Sequence, residues 1–135
     1  NNIHRMIREA LTRGRITYRG PEDALREYIH VSDAAQLSVK ILDTAFENRH
    51  VVLSGQERLR MRDVMRMLAD MVEGKVDLHF EPSDSNRHYS VTPYTFQPKV
   101  GHKLTSTDFV DMGQGILDCL AEAYEHLPSS ERKIP

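Results

Sequence analysis

Arginine is the residue type in this sequence whose abundance and placement indicate a chemical role. Of the 18 basic residues, 13 are arginine. Arginine is preferred over lysine where planar oxyanions such as phosphates are bound, because its guanidinium group donates hydrogen bonds in a rigid fork. Arg26 stands apart from the rest, since it follows the Gly20-Pro21 turn and lies at the start of a predicted strand. For most of the other arginines we expect a solvated surface.

The sequence lacks the motifs that are typical of several kinds of catalytic site. No glycine-rich turn of the dinucleotide-binding, phosphate-loop or nucleophile-elbow type occurs. None of the five tyrosines is followed by a lysine at the fourth position, which is the pair that relays a proton during hydride transfer. The seven histidines show no metal-binding spacing. We therefore predict no catalytic, cofactor-binding or metal-binding residue in this chain.

Composition indicates one globular domain. The chain has 135 residues, of which 39% are hydrophobic and 28% charged. Its formal net charge of −2 argues against nucleic acid or an anionic membrane as a partner. Cys119 is the single cysteine, so an internal disulfide is excluded. Together with the lack of any long apolar run, this favours a cytoplasmic protein.

Hydrophobic periodicity and turn residues predict alternating helices and short strands. We expect helices at 3–12, from Ser32 or Asp33 to about 46, at 61–73 and at 108–127. We expect strands at 16–19, 27–31, 50–53 and 76–80, a loop over most of 81–101, and a tail at 128–135. The class is α/β, or α+β for the isolated chain. These strands are too few for a parallel sheet covered on both faces, so the elements are expected to pack against something further.

One uninterrupted stretch resembles a known family. Arg26-Glu27-Tyr28-Ile29-His30-Val31, followed by Asp33-Ala34-Ala35, is similar to the segment that begins the substrate domain of NAD-dependent epimerases and dehydratases acting on nucleotide sugars. These enzymes are extended short-chain dehydrogenases/reductases. A weaker similarity covers most of the chain. The resemblance implies that residues 1–127 are a small C-terminal substrate-binding domain of helices and short strands, with the Rossmann domain absent.

The resemblance also implies substrate-binding residues. Arg26 matches the family's arginine that reaches the substrate diphosphate, although a strand-edge salt bridge is an alternative. Arg87 is the one candidate for a second diphosphate arginine, in a segment that lacks the family's usual Gly-Asp. Tyr94 either stacks on the nucleotide base or fills the core. His30 and Asp33 are interpreted as structural residues.

The implied function is binding of a nucleotide diphosphate sugar. The parent protein would be an NAD(P)-dependent epimerase or dehydratase with NAD or NADP in its N-terminal dinucleotide-binding domain, while this portion would hold no cofactor and be inactive by itself. We expect that domain as its partner, and a homodimer rather than a monomer. The alternative is a free-standing binding or protein-interaction module with no catalytic role.

Overall fold

The computed structural model describes residues 2–82 and 101–133, which form helices and short strands in alternation. The elements are α1 (Asn2–Arg13), β1 (Arg15–Arg19), β2 (Leu25–Glu27), α2 (Val31–Lys40), β3 (Val51–Leu53), β4 (Arg58–Arg60), α3 (Met61–Met71), β5 (Asp77–Glu81), β6 (His102–Leu104) and α4 (Met112–His126). Two 3-10 turns lie at Thr44–Phe46 and Ser129–Glu131. The predicted α+β class is confirmed. None of the described helices is both long and apolar enough to cross a lipid bilayer.

The strands of the described residues pair two by two. β1 runs parallel to β5, β2 antiparallel to β4, and β3 parallel to β6. Side chains on β1 alternate between the two faces of the strand, as expected for extended backbone. Ile16 and Tyr18 are buried, whereas Arg15 and Arg19 are exposed and Thr17 is half-buried beside them. One face of β1 therefore enters the core and the other faces a groove.

The core lies where α1, α3 and α4 pack around β1. Helical spacing on α1 and α3 brings their apolar residues onto one side, which is why both helices were predictable from the sequence. Gly14 adopts a positive φ of 65° and ends α1, as predicted. The largest fully buried side chains are Met6, Ile7, Ile16, Met61, Met65, Leu68, Ile116 and Val64.

The predicted strand 27–31 and the helix after it are wrong in their bounds. The strand ends at Glu27, and His30 is the N-cap of α2 because its Nδ1 accepts from the Ser32 amide at 3.4 Å. The helix ends at Lys40 rather than near residue 46. Asp43 explains the early end, since its Oδ1 accepts from the Ala45 amide at 2.8 Å and starts a separate 3-10 turn.

The last helix also begins later than predicted, and the chain after it contacts α1. Asp111 caps α4 by accepting from the Gln114 amide at 3.0 Å, so the helix starts at Met112 rather than at 108. Beyond Pro128 the chain returns to α1, where the Lys133 amide donates to the Leu11 carbonyl at 3.0 Å. The described part of the tail thus covers the end of α1.

Candidate functional site

A groove of about 620 Å³ lies between α1 and the outward face of β1. Helical spacing on α1 and alternation on β1 bring polar side chains to the two walls, and β5 adds one residue at the end next to β1. The lining residues are Asn2, Arg5, Arg8, Glu9, Thr12, Arg13, Arg15, Thr17, Tyr18, Arg19 and Glu81. We call this the arginine groove.

The arginine groove is positively charged although the chain is not. Its lining contains five arginines and two glutamates, which gives a formal charge of +3, against −2 for the whole sequence. A concave surface lined by charges of one sign concentrates its field and attracts ligands of the opposite sign. The groove is therefore suited to an anionic ligand, and the arginine forks suit phosphate oxygens.

Two carboxylates partly neutralise the groove and hold its arginines. Glu9, whose side chain is 10% exposed, lies 3.2 Å from Nη1 of Arg5 and 3.4 Å from Nε of Arg15. Glu81 lies 2.9 Å from Nε of Arg19. The Arg19 side chain is 78% exposed, so its pairing with Glu81 contributes little to stability. This pairing engages Nε of Arg19 and leaves both of its Nη groups for a ligand.

Arg26 is not among the residues that line the groove, and it contacts a tyrosine whose side chain lies on the buried face of β1. Its Nη1 donates to the Leu25 carbonyl at 2.8 Å and its Nη2 to the Tyr18 hydroxyl at 3.2 Å, and Tyr18 lines the groove. Guanidinium carries five N–H donors, so three are left over after these two bonds. The sequence left open a strand-edge salt bridge of Arg26 as the alternative to diphosphate binding. Within residues 2–82 and 101–133, Arg26 forms no salt bridge with a carboxylate.

The other two predicted site residues, Arg87 and Tyr94, lie outside the described part of the chain. Their roles therefore stay predictions. The chain enters the segment that contains them directly after β5, whose last residue, Glu81, lines the arginine groove.

The family-like motif lines a second concavity, which we call the motif cleft. It measures about 240 Å³ and lies between the N-terminal ends of α2 and α4. His30 caps α2, and its Nε2 lies 3.9 Å from Oδ2 of Asp118. Asp33 is buried, and its Oδ2 accepts from the Val110 amide at 3.0 Å. Both residues make structural contacts, as expected from the sequence, and His30 caps α2 although the helix was predicted to start at Ser32 or Asp33.

Tyr28 of the motif is unsuited to proton relay. Its hydroxyl donates to Sδ of Met61 at 3.3 Å, inside the core. Burial of the hydroxyl raises the pKa of Tyr28 to about 12, with a smaller contribution from Tyr18. A tyrosine that relays protons in hydride transfer needs its pKa lowered instead. Tyr28 is thus a packing residue.

Comparison with known proteins finds two similarities. Residues 1–54 match the model of the NAD dependent epimerase/dehydratase family. A search of curated protein sequences finds no match. Among solved structures, the chain is similar to TunA, an NAD-dependent NDP-hexosamine 5,6-dehydratase involved in tunicamycin biosynthesis, with a TM-score of 0.67 and 17% identity. Residues 1–54 are thus similar in sequence to the NAD dependent epimerase/dehydratase family, and most of the chain is similar in fold to TunA.

The two similarities cover different amounts of the chain. The match to TunA covers 97% of this chain but 42% of TunA, and at this identity it shows the fold alone. The match to the epimerase/dehydratase model runs from α1 to the end of β3. It therefore includes Arg26, the motif and every groove residue except Glu81. The arginine groove is built within the segment whose sequence is similar to the family.

The groove arginines were missed at the sequence level, where most were expected to be solvated. A signal was present in their spacing. Arg5, Arg8 and Thr12 recur at helical intervals, and Arg15, Thr17 and Arg19 at strand intervals. What the spacing could not show is that α1 and β1 turn these faces toward each other.

Proposed function

We propose that this chain is the substrate-binding portion of an NAD(P)-dependent nucleotide-sugar epimerase or dehydratase, and that the arginine groove with Arg26 binds the nucleotide diphosphate. The observation that carries the proposal is the groove with a formal charge of +3, which lies almost wholly within the segment that matches the family, and the same segment holds Arg26 with its unused donors. TunA, which has a similar fold, is an NDP-hexosamine dehydratase, and this supports a nucleotide-sugar ligand here as well.

Arg26 would bind diphosphate oxygens with the donors that Leu25 and Tyr18 leave unused. Arg15 and Arg19, on the exposed face of β1, would add charge along the groove. Two further substrate contacts belong to this proposal. Arg87 would bind the diphosphate, and the ring of Tyr94 would stack on the nucleotide base.

Catalysis would come from a dinucleotide-binding domain that holds NAD or NADP. In that reaction the carbon that bears a sugar hydroxyl would lose a hydride to the cofactor and the hydroxyl would lose a proton to a base, and the resulting ketone would permit epimerisation, dehydration or decarboxylation. The present residues would position the sugar nucleotide. Because the chain has no tyrosine–lysine pair at the required spacing, residues 1–127 are proposed to be inactive by themselves.

The exposed side of α2 and the residues after it would contact that domain. Val31, Val39 and Leu42 are 77%, 69% and 81% exposed, an unusual position for large apolar side chains. Covering them with the dinucleotide-binding domain would remove this surface from water. Without that domain, the same surface would favour a homodimer of the isolated chain.

Binding of UDP-N-acetylglucosamine, a common NDP-hexosamine, tests the proposal. Isothermal titration calorimetry should detect binding to the chain, and Arg26→Gln should weaken it about tenfold because charge-assisted bonds to phosphate are lost. Arg49→Gln, which changes an exposed arginine outside the groove, is the matched control. Equal affinities of the two variants, or no binding by the unmodified chain, would contradict the proposal.

The alternative function is a binding or interaction module without a catalytic role. The exposed apolar residues of α2 favour it, since they suit a protein partner of any kind. Self-association in size-exclusion chromatography together with no affinity for nucleotide sugars would support this alternative over the first proposal.

A further inference from the structure

We infer that Glu9 is the positioning residue of the arginine groove, holding Arg5 and Arg15 in place for an anionic ligand. The inference rests on the proposed function in so far as the groove must bind an anion. It adds a role for a carboxylate in a site whose ligand is itself negatively charged.

Glu9 joins three parts of the groove wall. Its side chain is 10% exposed and lies between α1 and β1. Oε1 accepts from the Thr17 hydroxyl at 2.9 Å, and Oε2 accepts from the Thr17 amide at 3.2 Å. The same two oxygens pair with Arg15 and Arg5. The carboxylate therefore has both oxygens engaged and offers no free acceptor to a ligand.

Arg5 is held at two points. Its Nη1 donates to Oε2 of Glu9 at 3.2 Å, and its Nη2 donates to the Thr17 carbonyl at 2.9 Å. Three of its five N–H donors are left after these bonds. Arg15 meets Glu9 through Nε, which leaves both of its Nη groups. Arg5 is thus held by two hydrogen bonds and Arg15 by one ion pair, and both keep donors for a phosphate.

Holding the arginines in advance lowers the cost of binding. A long side chain that is already ordered loses less conformational freedom when it meets its ligand than one that moves freely in solvent. Arg8 differs from Arg5 and Arg15, since its side chain is 63% exposed and its charged partner is Glu131 at 3.9 Å rather than Glu9. Of the five groove arginines, Glu9 therefore pairs with Arg5 and Arg15.

Positioning and simple charge predict opposite effects of removing Glu9. Replacing it by glutamine raises the formal charge of the groove by one, so electrostatic attraction alone would tighten the binding of any anion. If Glu9 acts by positioning, the loss of order in Arg5 and Arg15 outweighs the added charge and binding weakens. The direction of the change decides between the two.

The experiment measures the affinity of the chain for inorganic pyrophosphate and for UDP-N-acetylglucosamine by isothermal titration calorimetry at two salt concentrations. We expect Glu9→Gln to weaken both about fivefold, and Glu9→Asp, which keeps the charge and shortens the reach, to weaken both as well. In an Arg5→Lys background, Glu9→Gln should weaken the binding of both ligands clearly less than it does in the unmodified chain, since the two residues act as a unit.

Asp33→Asn is the matched control for loss of stability. Asp33 is also a buried carboxylate, but it lies in the motif cleft, where it accepts a hydrogen bond from the Val110 amide. Neither Asp33 nor Val110 lines the arginine groove. Asp33→Asn should lower the free energy of unfolding without changing pyrophosphate affinity. If Glu9→Gln does not fold, Glu9→Asp and the Arg5→Lys cycle still test the inference.

The outcomes separate this inference from the proposed function. Unchanged or tighter pyrophosphate binding by Glu9→Gln overturns the inference, as does a lack of pyrophosphate binding by the unmodified chain. If Glu9→Gln weakens pyrophosphate binding but the unmodified chain binds the sugar nucleotide no better than pyrophosphate, the positioning role stands and the nucleotide-sugar proposal fails.

Discussion

The two concavities of the molecule differ in what their charged side chains do. In the arginine groove, Arg15 and Arg19 on β1 keep N–H donors that no described residue uses. In the motif cleft, the carboxylates of Asp33, Glu57 and Asp111 accept from the main-chain amides of Val110, Met112 and Gln114. The first set of charges is available to a ligand, whereas the second set is consumed in holding helix starts and loops.

This difference shows that a recognisable motif and a ligand-binding surface need not coincide. Tyr28, His30 and Asp33 carry the family resemblance, and in the structure they build the cleft and its supports. Arg26 begins the same motif, and its guanidinium contacts the Tyr18 hydroxyl. Arg26 is therefore a residue of the motif that keeps N–H donors unused by the described residues.

The largest effect is expected from crowding the motif cleft. A Cβ at Gly55 would lie 1.7 Å from the Tyr28 carbonyl oxygen, so the main chain of the motif would have to move. Gly55→Ala should cost about 3 kcal/mol or more in the free energy of unfolding. Chemical denaturation measures this change.

Gly115→Ala is the matched control, because a Cβ there meets Cδ2 of His30 at an ordinary 3.5 Å. Since Gly115 lies inside α4, alanine should stabilise the chain by about 0.5 kcal/mol or leave it unchanged. Similar costs for both substitutions would show that Gly55 does not support the motif.

A smaller effect, and one on binding alone, is expected in the arginine groove. The double substitution Arg15→Gln and Arg19→Gln should weaken pyrophosphate binding about tenfold while changing the free energy of unfolding by less than about 1 kcal/mol, since both side chains are more than half exposed.

The double substitution Arg49→Gln and Arg66→Gln removes the same charge from exposed positions outside the groove. It should reduce pyrophosphate affinity only slightly, and this reduction should be smaller at higher salt because the exposed charges are screened. Equal losses in the two double variants would mean that net charge rather than groove geometry attracts the anion.

The smallest expected effect is on the pH dependence of stability, and it involves Glu27, which follows Arg26 in β2. Glu27 is buried, which raises its pKa, but hydrogen bonds from Ser54, Lys103 and Arg58 outweigh burial and lower the pKa below its usual 4.5. Because the folded pKa lies below the unfolded one, this stabilisation is present above pH 4.5 and is lost as the pH falls through the folded pKa.

Glu27→Gln should therefore flatten the acid side of the curve of stability against pH, measured by denaturation from pH 7 downward. Asp118→Asn, at an exposed carboxylate, serves as the comparison and should leave the curve close to that of the unmodified chain. A Glu27→Gln curve that keeps its full slope would show that Glu27 does not titrate as described.

The sequence predicted best those elements whose pattern is long and local. The periodicity of α1 and α3, and the Gly20-Pro21 turn that closes β1, predicted those elements nearly as observed. The strands β4 and β6 were not predicted, since three residues carry no usable pattern and their pairing with β2 and β3 depends on the tertiary fold. The α2 boundary was missed because it depends on the ring nitrogen of His30.

The site was predictable only in part for a similar reason. Arg26 was identified from its place in the motif, and the structure adds its contacts and its neighbourhood. The role of Glu9 requires α1 and β1 to face each other with Thr17 between them, which no spacing within one element shows. Side chains that act across two elements are the part of a site that sequence patterns leave out.

Mapping of amide chemical shifts during titration with UDP-N-acetylglucosamine tests the central claim most directly. We predict that the largest changes fall on the arginine groove and beside it, at Thr17, Arg19 and Arg26, with small changes at Gly55 and Val110 in the motif cleft. Changes concentrated in the motif cleft, with the groove unaffected, would contradict the assignment of the groove as the ligand-binding surface.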